Sequence, residues 1–192
     1  MSNPTDDAAL AAAAWQLPNV GREAIRAALE NRAPERLVEA EGLLAEPSPV
    51  FVTLRIDERL RGCIGSLVAI HANMVEETED RARAAAFDDP RFRRLTLPEL
   101  DATSVEVSIL RPLVPVTSVD ELDPARFGIE IRDNSGRRAV LLPEIDGIVT
   151  VEQQIKVTRQ KAGIPPGNEL TIRKFTVVKV PDPLFATSGR PS

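Results

Sequence analysis

Cys63 is the only cysteine in the chain and His71 the only histidine, and these two residues bound most of the chemistry available. Any thiol nucleophile has to be Cys63, and any imidazole base has to be His71. An internal disulfide is impossible, and a zinc site of several Cys and His ligands cannot be assembled within one chain. Cys63 stands in the string Leu60-Arg61-Gly62-Cys63-Ile64-Gly65-Ser66. Glycines inside a strand lose conformational entropy and leave nothing to pack, so they mark a bulge or a place where another group comes close to the backbone. In a regular strand Arg61 shares a face with Cys63, and a cation there favours the thiolate. The other reading is that Cys63 is a small buried apolar residue and the glycines only permit close packing.

His71 follows Cys63 by eight residues, at the start of an expected helix. A neutral imidazole there is within the repertoire of a general base, but helix-start histidines are ordinarily solvated, and no Cys or His stands near it at ligand spacing. No structural metal is expected at His71, and no cofactor is called for. The five arginines Arg81, Arg83, Arg91, Arg93 and Arg94 resemble an anion site, yet Glu76, Glu77, Glu79, Asp80, Asp88 and Asp89 share the stretch. An ion-paired solvated face follows, not a nucleic-acid surface. These carboxylates lack the glycine-punctuated loop of a calcium site. A phosphate-cradling glycine loop is likewise absent from the sequence.

The elements that must position these residues alternate in type. Asp6–Asn31 is Ala-rich, with Val20, Ala24, Ala27, Ala28 and Leu29 at helical spacing behind a break at Pro18. An irregular crossing with three prolines spans Ala33–Pro49. Val50–Ile56 and Leu60–Leu67 flank Asp57-Glu58-Arg59 and predict a hairpin whose second arm bears Cys63. His71–Phe87 lacks Pro and Gly and predicts a helix. Val105, Val107 and Ile109 alternate with polar neighbours in a strand stopped by Pro112. Phe127–Arg132 and Arg138–Leu142 enclose Asp133-Asn134-Ser135-Gly136 in a second hairpin. Val151–Ala162 predicts a helix ended by Gly163, and Leu170–Val180 a last strand. Two hairpins among helices make the class α+β with a mainly antiparallel sheet. The Pro-rich Arg111–Pro115 and the loop Ser118–Pro124 stand where two lobes would join or where a surface loop would run.

The 192 residues are 43% hydrophobic and 28% charged, which fits a globular domain with a real core. A formal charge of −5 argues against sequence-independent binding to nucleic acid or anionic lipid. The nearly apolar Ala8–Val20 falls short of the roughly 20 residues of a membrane span. Met1–Asp7 has no basic flank, so it reads as a helix approach and not an export signal. With a lone cysteine, this favours the cytoplasm.

Leu60-Arg61-Gly62-Cys63-Ile64-Gly65 resembles the signature of the AMMECR domain family, whose bacterial and archaeal members are called AmmeMemoRadiSam system protein A. Phe51–Leu54, Ala85-Ala86-Phe87, Asp89-Pro90-Arg91-Phe92, Ser108-Ile109-Leu110 with Pro112, Leu142-Pro143, Gly147, Glu152-Gln153-Gln154 and Lys161–Ile164 resemble family stretches in the same order. The resemblance covers Ser48–Val180. The resemblance implies an AMMECR-like domain of two lobes with a cleft between them over 48–180, which leaves an Ala-rich helical segment and crossing over 1–47, to which no family stretch corresponds, and a polar tail over 181–192. It also places the Arg-Gly-Cys segment near that cleft. The candidate ligand-binding residues are then Arg61, Gly62, Cys63, Ile64, Gly65 and Arg91, with Cys63 and Arg61 as candidate catalytic residues. The family name implies partners: a Memo-like protein, similar to metal-dependent extradiol dioxygenases, and a radical S-adenosylmethionine enzyme. Two functions are expected from this. One is an accessory subunit that binds a ligand or a partner; the other is a Cys63-dependent enzyme acting on a small anionic substrate.

Overall fold

The computed structural model describes residues 4–185. They form two compact units, residues 4–110 with 178–185, and Arg111–Val177. The architecture is α+β with antiparallel strand pairing, as the alternating patterns predict.

In the first unit, α1 (Pro4–Ala14) and α2 (Leu17–Leu29) precede a 3-10 turn at Gly42–Ala45. There follow β1 (Val50–Ile56), β2 (Arg59–Gly65), α3 (Met74–Phe87), α4 (Leu97–Asp101) and β3 (Thr103–Leu110). The break between the first two helices falls at Trp15-Gln16 and not at Pro18. Pro18 instead occupies the first turn of α2, where its missing N–H has no helical acceptor to lose. Val50, Val52 and Leu54 of β1 and Val105, Val107 and Ile109 of β3 are fully buried, so both strands turn their alternate residues into one core. α2 and α3 close that core through small residues. A Cβ on Gly21 would lie 3.2 Å from the Ala82 Cβ, which is how closely the two helices pass.

α3 begins at Met74, later than predicted, because the Asn73 side chain accepts the Glu76 N–H and caps it there. His71 therefore lies in the preceding loop. That loop is held by Glu77, fully buried, whose Oε2 accepts the Ile70 and His71 N–H groups at 2.8 and 3.0 Å. Arg81 Nε stands 3.5 Å from the other Glu77 oxygen. Glu77→Ala would strand two backbone donors. It is expected to lower stability by about 2 kcal/mol and to raise amide exchange at Ile70 and His71; unchanged exchange there would contradict the tether.

The second unit comprises β4 (Val114–Pro115), β5 (Gly128–Asp133), β6 (Arg138–Leu141), α5 (Val151–Lys161) and β7 (Leu170–Phe175), with sheet order β4-β7-β5-β6. Ile129, Ile131 and Leu141 form its core with Leu122 and Ile164, and Ile155 of α5 packs against them. α5 starts at a capping box between Thr150 and Gln153 and is followed by Gly163 at φ 64°.

The expected last strand is two strands. β7 pairs with β5 in the second unit, whereas β8 (Val177–Val180) joins the first unit's sheet, whose order is β2-β1-β3-β8. The alternation of buried residues changes phase there, from Phe175 to Val178 and Val180, and a period-2 pattern carries no information about which sheet a residue joins. Beyond β8, Asp182 is buried and binds the Arg22 guanidinium and the Val105 N–H, so the start of the predicted polar tail is packed. Residues 186–192 of that tail lie outside the described residues. No helix among the described residues is long and apolar enough to cross a membrane.

Candidate functional site

β2 is an edge strand, so the string around Cys63 has β1 on one side only. Its register against β1 slips: Leu54 faces Gly62 but Arg55 faces Leu60, which leaves Arg61 as the extra residue of a bulge. The regular strand that would put Arg61 beside the thiol is therefore interrupted at Arg61 itself. Its guanidinium binds Glu99 instead, Nε to Oε1 at 3.3 Å and Nη2 to Oε2 at 3.4 Å, and lies 6.0 Å from the Phe92 ring centre.

Beyond the bulge, Gly62 and Ile64 turn toward α3 and the core, and Cys63 and Gly65 toward the opposite face. A Cβ on Gly62 would sit 2.2 Å from the Ala85 carbonyl oxygen, and one on Gly65 2.2 Å from the Phe51 ring. Both glycines thus have protein neighbours in contact: a helix backbone at Gly62 and an aromatic ring laid over Gly65. Ile64 packs against the first unit's core.

The free edge of β2 at Cys63 is closed by side chains. The Cys63 N–H donates to Asp89 Oδ2 at 2.9 Å, and Arg91 Nη2 donates to the Cys63 carbonyl at 3.3 Å. Asp89 and Arg91 are locked together, with the Arg91 N–H, Nε and Nη2 all donating to the Asp89 carboxylate at 3.1, 2.9 and 2.7 Å. The Arg91 hydrogen bonds hold the Asp89 carboxyl down at about 2, and the same contact raises the Arg91 pKa. This pair supplies an acceptor and a donor where a neighbouring strand would, which protects an edge that would otherwise template another chain.

The Cys63 thiol is half-buried and accepts a hydrogen bond from the Thr53 hydroxyl at 3.4 Å, directly across the strand pair. Glu106 of β3 is the next residue in that cross-strand row. Behind the edge, Glu99 gathers donors: the cations Arg61 and, at 3.1 Å, Arg93, and the neutral Thr96 N–H and hydroxyl at 3.0 and 2.8 Å in the capping box of α4. Burial pushes the Glu99 carboxyl up, but the Thr96 and Arg61 hydrogen bonds outweigh it and hold the group at about 2. The Phe92 ring is near both Arg61 and Arg91, the latter 5.5 Å from its centre.

The structure thus brings Cys63 and Arg91 together and pairs Arg61 with Glu99 instead. His71 takes no part: its Nε2 is 3.5 Å from Asp80 and its N–H binds Glu77. Thr53, Asp89, Phe92 and Glu99 are the residues sequence reasoning left without a role. Asp89-Pro90 after a helix and the alternation around Thr53 were the signals present.

A family model described as AMMECR1 matches residues 18–180. The chain belongs to the AMMECR1 family. A Thermotoga maritima protein is 43% identical over 139 residues, covering 71% of this chain and 79% of that protein. A match to a Clostridium acetobutylicum protein, 35% identical, covers 68% of this chain but only 27% of its much longer relative. The crystal structure of the uncharacterized protein PH0010 from Pyrococcus horikoshii superposes with a TM-score of 0.76 at 30% identity, covering 85% of this chain and 89% of that one. The family match begins in the first turn of α2, so α1 precedes it.

Proposed function

We propose that this protein is a binding component that presents the Arg91 guanidinium, held beside Cys63, to an anionic group on a ligand or partner. In this reading it is an accessory to a Memo-like, dioxygenase-like protein and a radical S-adenosylmethionine enzyme in a modification pathway. One observation carries the binding reading: Asp89 fixes the Arg91 guanidinium against the Cys63 carbonyl while 54% of the Arg91 side chain stays exposed. A cation so oriented meets a carboxylate without losing rotamer freedom at that moment. Arg93, more exposed still, and the Phe92 ring extend the same surface. Cys63 here holds the strand in place through Thr53. The partners rest on the names the family's bacterial and archaeal members carry.

Co-purification with a co-expressed Memo-like protein tests this. Wild type and Cys63→Ala are expected to retain the partner, and Arg91→Ala to lose it at an unchanged fold. Failure of the wild type to capture the partner would remove that reading.

A second reading, a Cys63-dependent enzyme acting on a small anionic substrate, rests on the half-buried Cys63 thiol, which is oriented by the Thr53 hydroxyl. Cys63 would then react with iodoacetamide faster than a free thiol at neutral pH. Slow alkylation would leave the binding reading alone.

A further inference from the structure

The exposed end of the second unit's sheet carries charges that the Cys63 edge does not use. Arg132 of β5 and Arg138 of β6 are direct cross-strand partners, and both are exposed. The Asp133 N–H bonds to the Arg137 carbonyl at 3.0 Å and the Gly136 N–H to the Asp133 carbonyl at 3.1 Å, closing the turn. The pair one step inward, Arg132 and Arg138, is therefore of the non-hydrogen-bonded kind, in which Cα atoms approach to about 4.5 Å and side chains leave the sheet closest together. Like charges placed so repel, and guanidinium does not shed its proton at ordinary pH.

Among the described residues, neither guanidinium has a hydrogen bond or an ion pair. The carboxylates nearest along β5 are engaged elsewhere. Glu130 is buried and held by Arg173 through Nε at 2.7 Å and Nη2 at 2.6 Å. Asp133 accepts the Ser135 N–H and hydroxyl, the Arg137 N–H and Nε, and the Asn168 amide. Those bonds also make the turn rigid, so the two arginines project from a fixed base. On the other side of Arg132, its partner across β5 and β7 is Thr171, whose residue is also exposed.

We propose that Arg138, Arg132 and Thr171 form a binding site for a phosphoryl dianion, either free phosphate or an ester on a small molecule. Two guanidinium forks and a hydroxyl supply donors to several oxygens of a tetrahedral group. A dianion compensates both charges, whereas a single carboxylate would leave one unmatched. The site shares no residue with the Cys63 edge, and it stands or falls independently of the accessory role.

Titration of the full-length protein with inorganic phosphate at constant ionic strength, followed by arginine Nε–H resonances, tests it. The expected result is a saturable shift at Arg132 and Arg138, with affinity falling about tenfold or more in Arg132→Gln. Arg138→Glu puts a carboxylate opposite Arg132; it is expected to raise the melting temperature without phosphate and to abolish any further rise on adding it. Tighter binding of glycerol phosphate assigns the site to an esterified group and tighter binding of inorganic phosphate to the free ion. An equal response to acetate, or a phosphate shift that survives both substitutions, would overturn the proposal.

Discussion

Gly62→Ala is expected to lower the stability of the folded protein by about 3 kcal/mol. The added Cβ would stand 2.2 Å from the carbonyl oxygen of Ala85, and that oxygen belongs to the backbone of α3. It cannot rotate away, so either the helix or the strand has to move. α3 also packs on α2, which makes the movement unfavourable on both of its sides. Gly65→Ala meets half-buried Phe51 instead, whose Cγ would stand 2.2 Å away, so the whole side chain has to turn, and about 2 kcal/mol is expected. Urea unfolding of the two variants gives the comparison. If Gly62→Ala were as stable as wild type, the glycine would not be there for the helix, and the reading that it leaves room for a ligand would gain.

Asp89→Ala is the second large effect, about 3 kcal/mol, because one buried carboxylate serves the Cys63 N–H and three donors of Arg91. Its loss would leave the Cys63 amide with no acceptor on the open edge and free the Arg91 guanidinium to wander. Amide hydrogen exchange at Cys63 is expected to accelerate far more than at Val52 or Leu54, which lie deeper in the sheet. Equal exchange in variant and wild type would remove Asp89 from the site. The pH dependence has a defined sign. With the folded carboxyl held near 2 and the unfolded one at an ordinary aspartate value, the contact stabilises the protein at every pH above about 4. That contribution disappears as the pH falls through about 2. Cys63 amide protection should therefore persist at pH 3 in the wild type if the remaining fold survives.

Glu99 follows the same rule from a different cause. Its carboxyl is also held near 2, by Thr96 and Arg61 against the effect of burial. Acid would thus release Arg61 and Arg91 from their carboxylates over the same range, and both contacts near Phe92 should loosen together. For the binding reading this means that the surface keeps its arrangement throughout the physiological range and is not a pH sensor.

Much of this molecule is determined by local sequence. Alternation in Val105–Ile109, the turn chemistry of Asp133–Gly136 and the run free of Pro and Gly in α3 predict a strand, a hairpin and a helix, because each depends on neighbours a few residues apart. The residues Arg61-Gly62-Cys63-Ile64-Gly65 also mark the family without any structure. Tertiary structure alone decided what those residues touch. The bulge that turns Arg61 to Glu99, the passage of Ala85 over Gly62 and the closure of the Cys63 edge by Asp89 and Arg91 all join residues 20 or more positions apart. The split of Leu170–Val180 between two sheets is of the same kind. A pattern of period 2 states which face a side chain takes, whereas the partner strand is chosen by burial and hydrogen bonding summed over the whole chain.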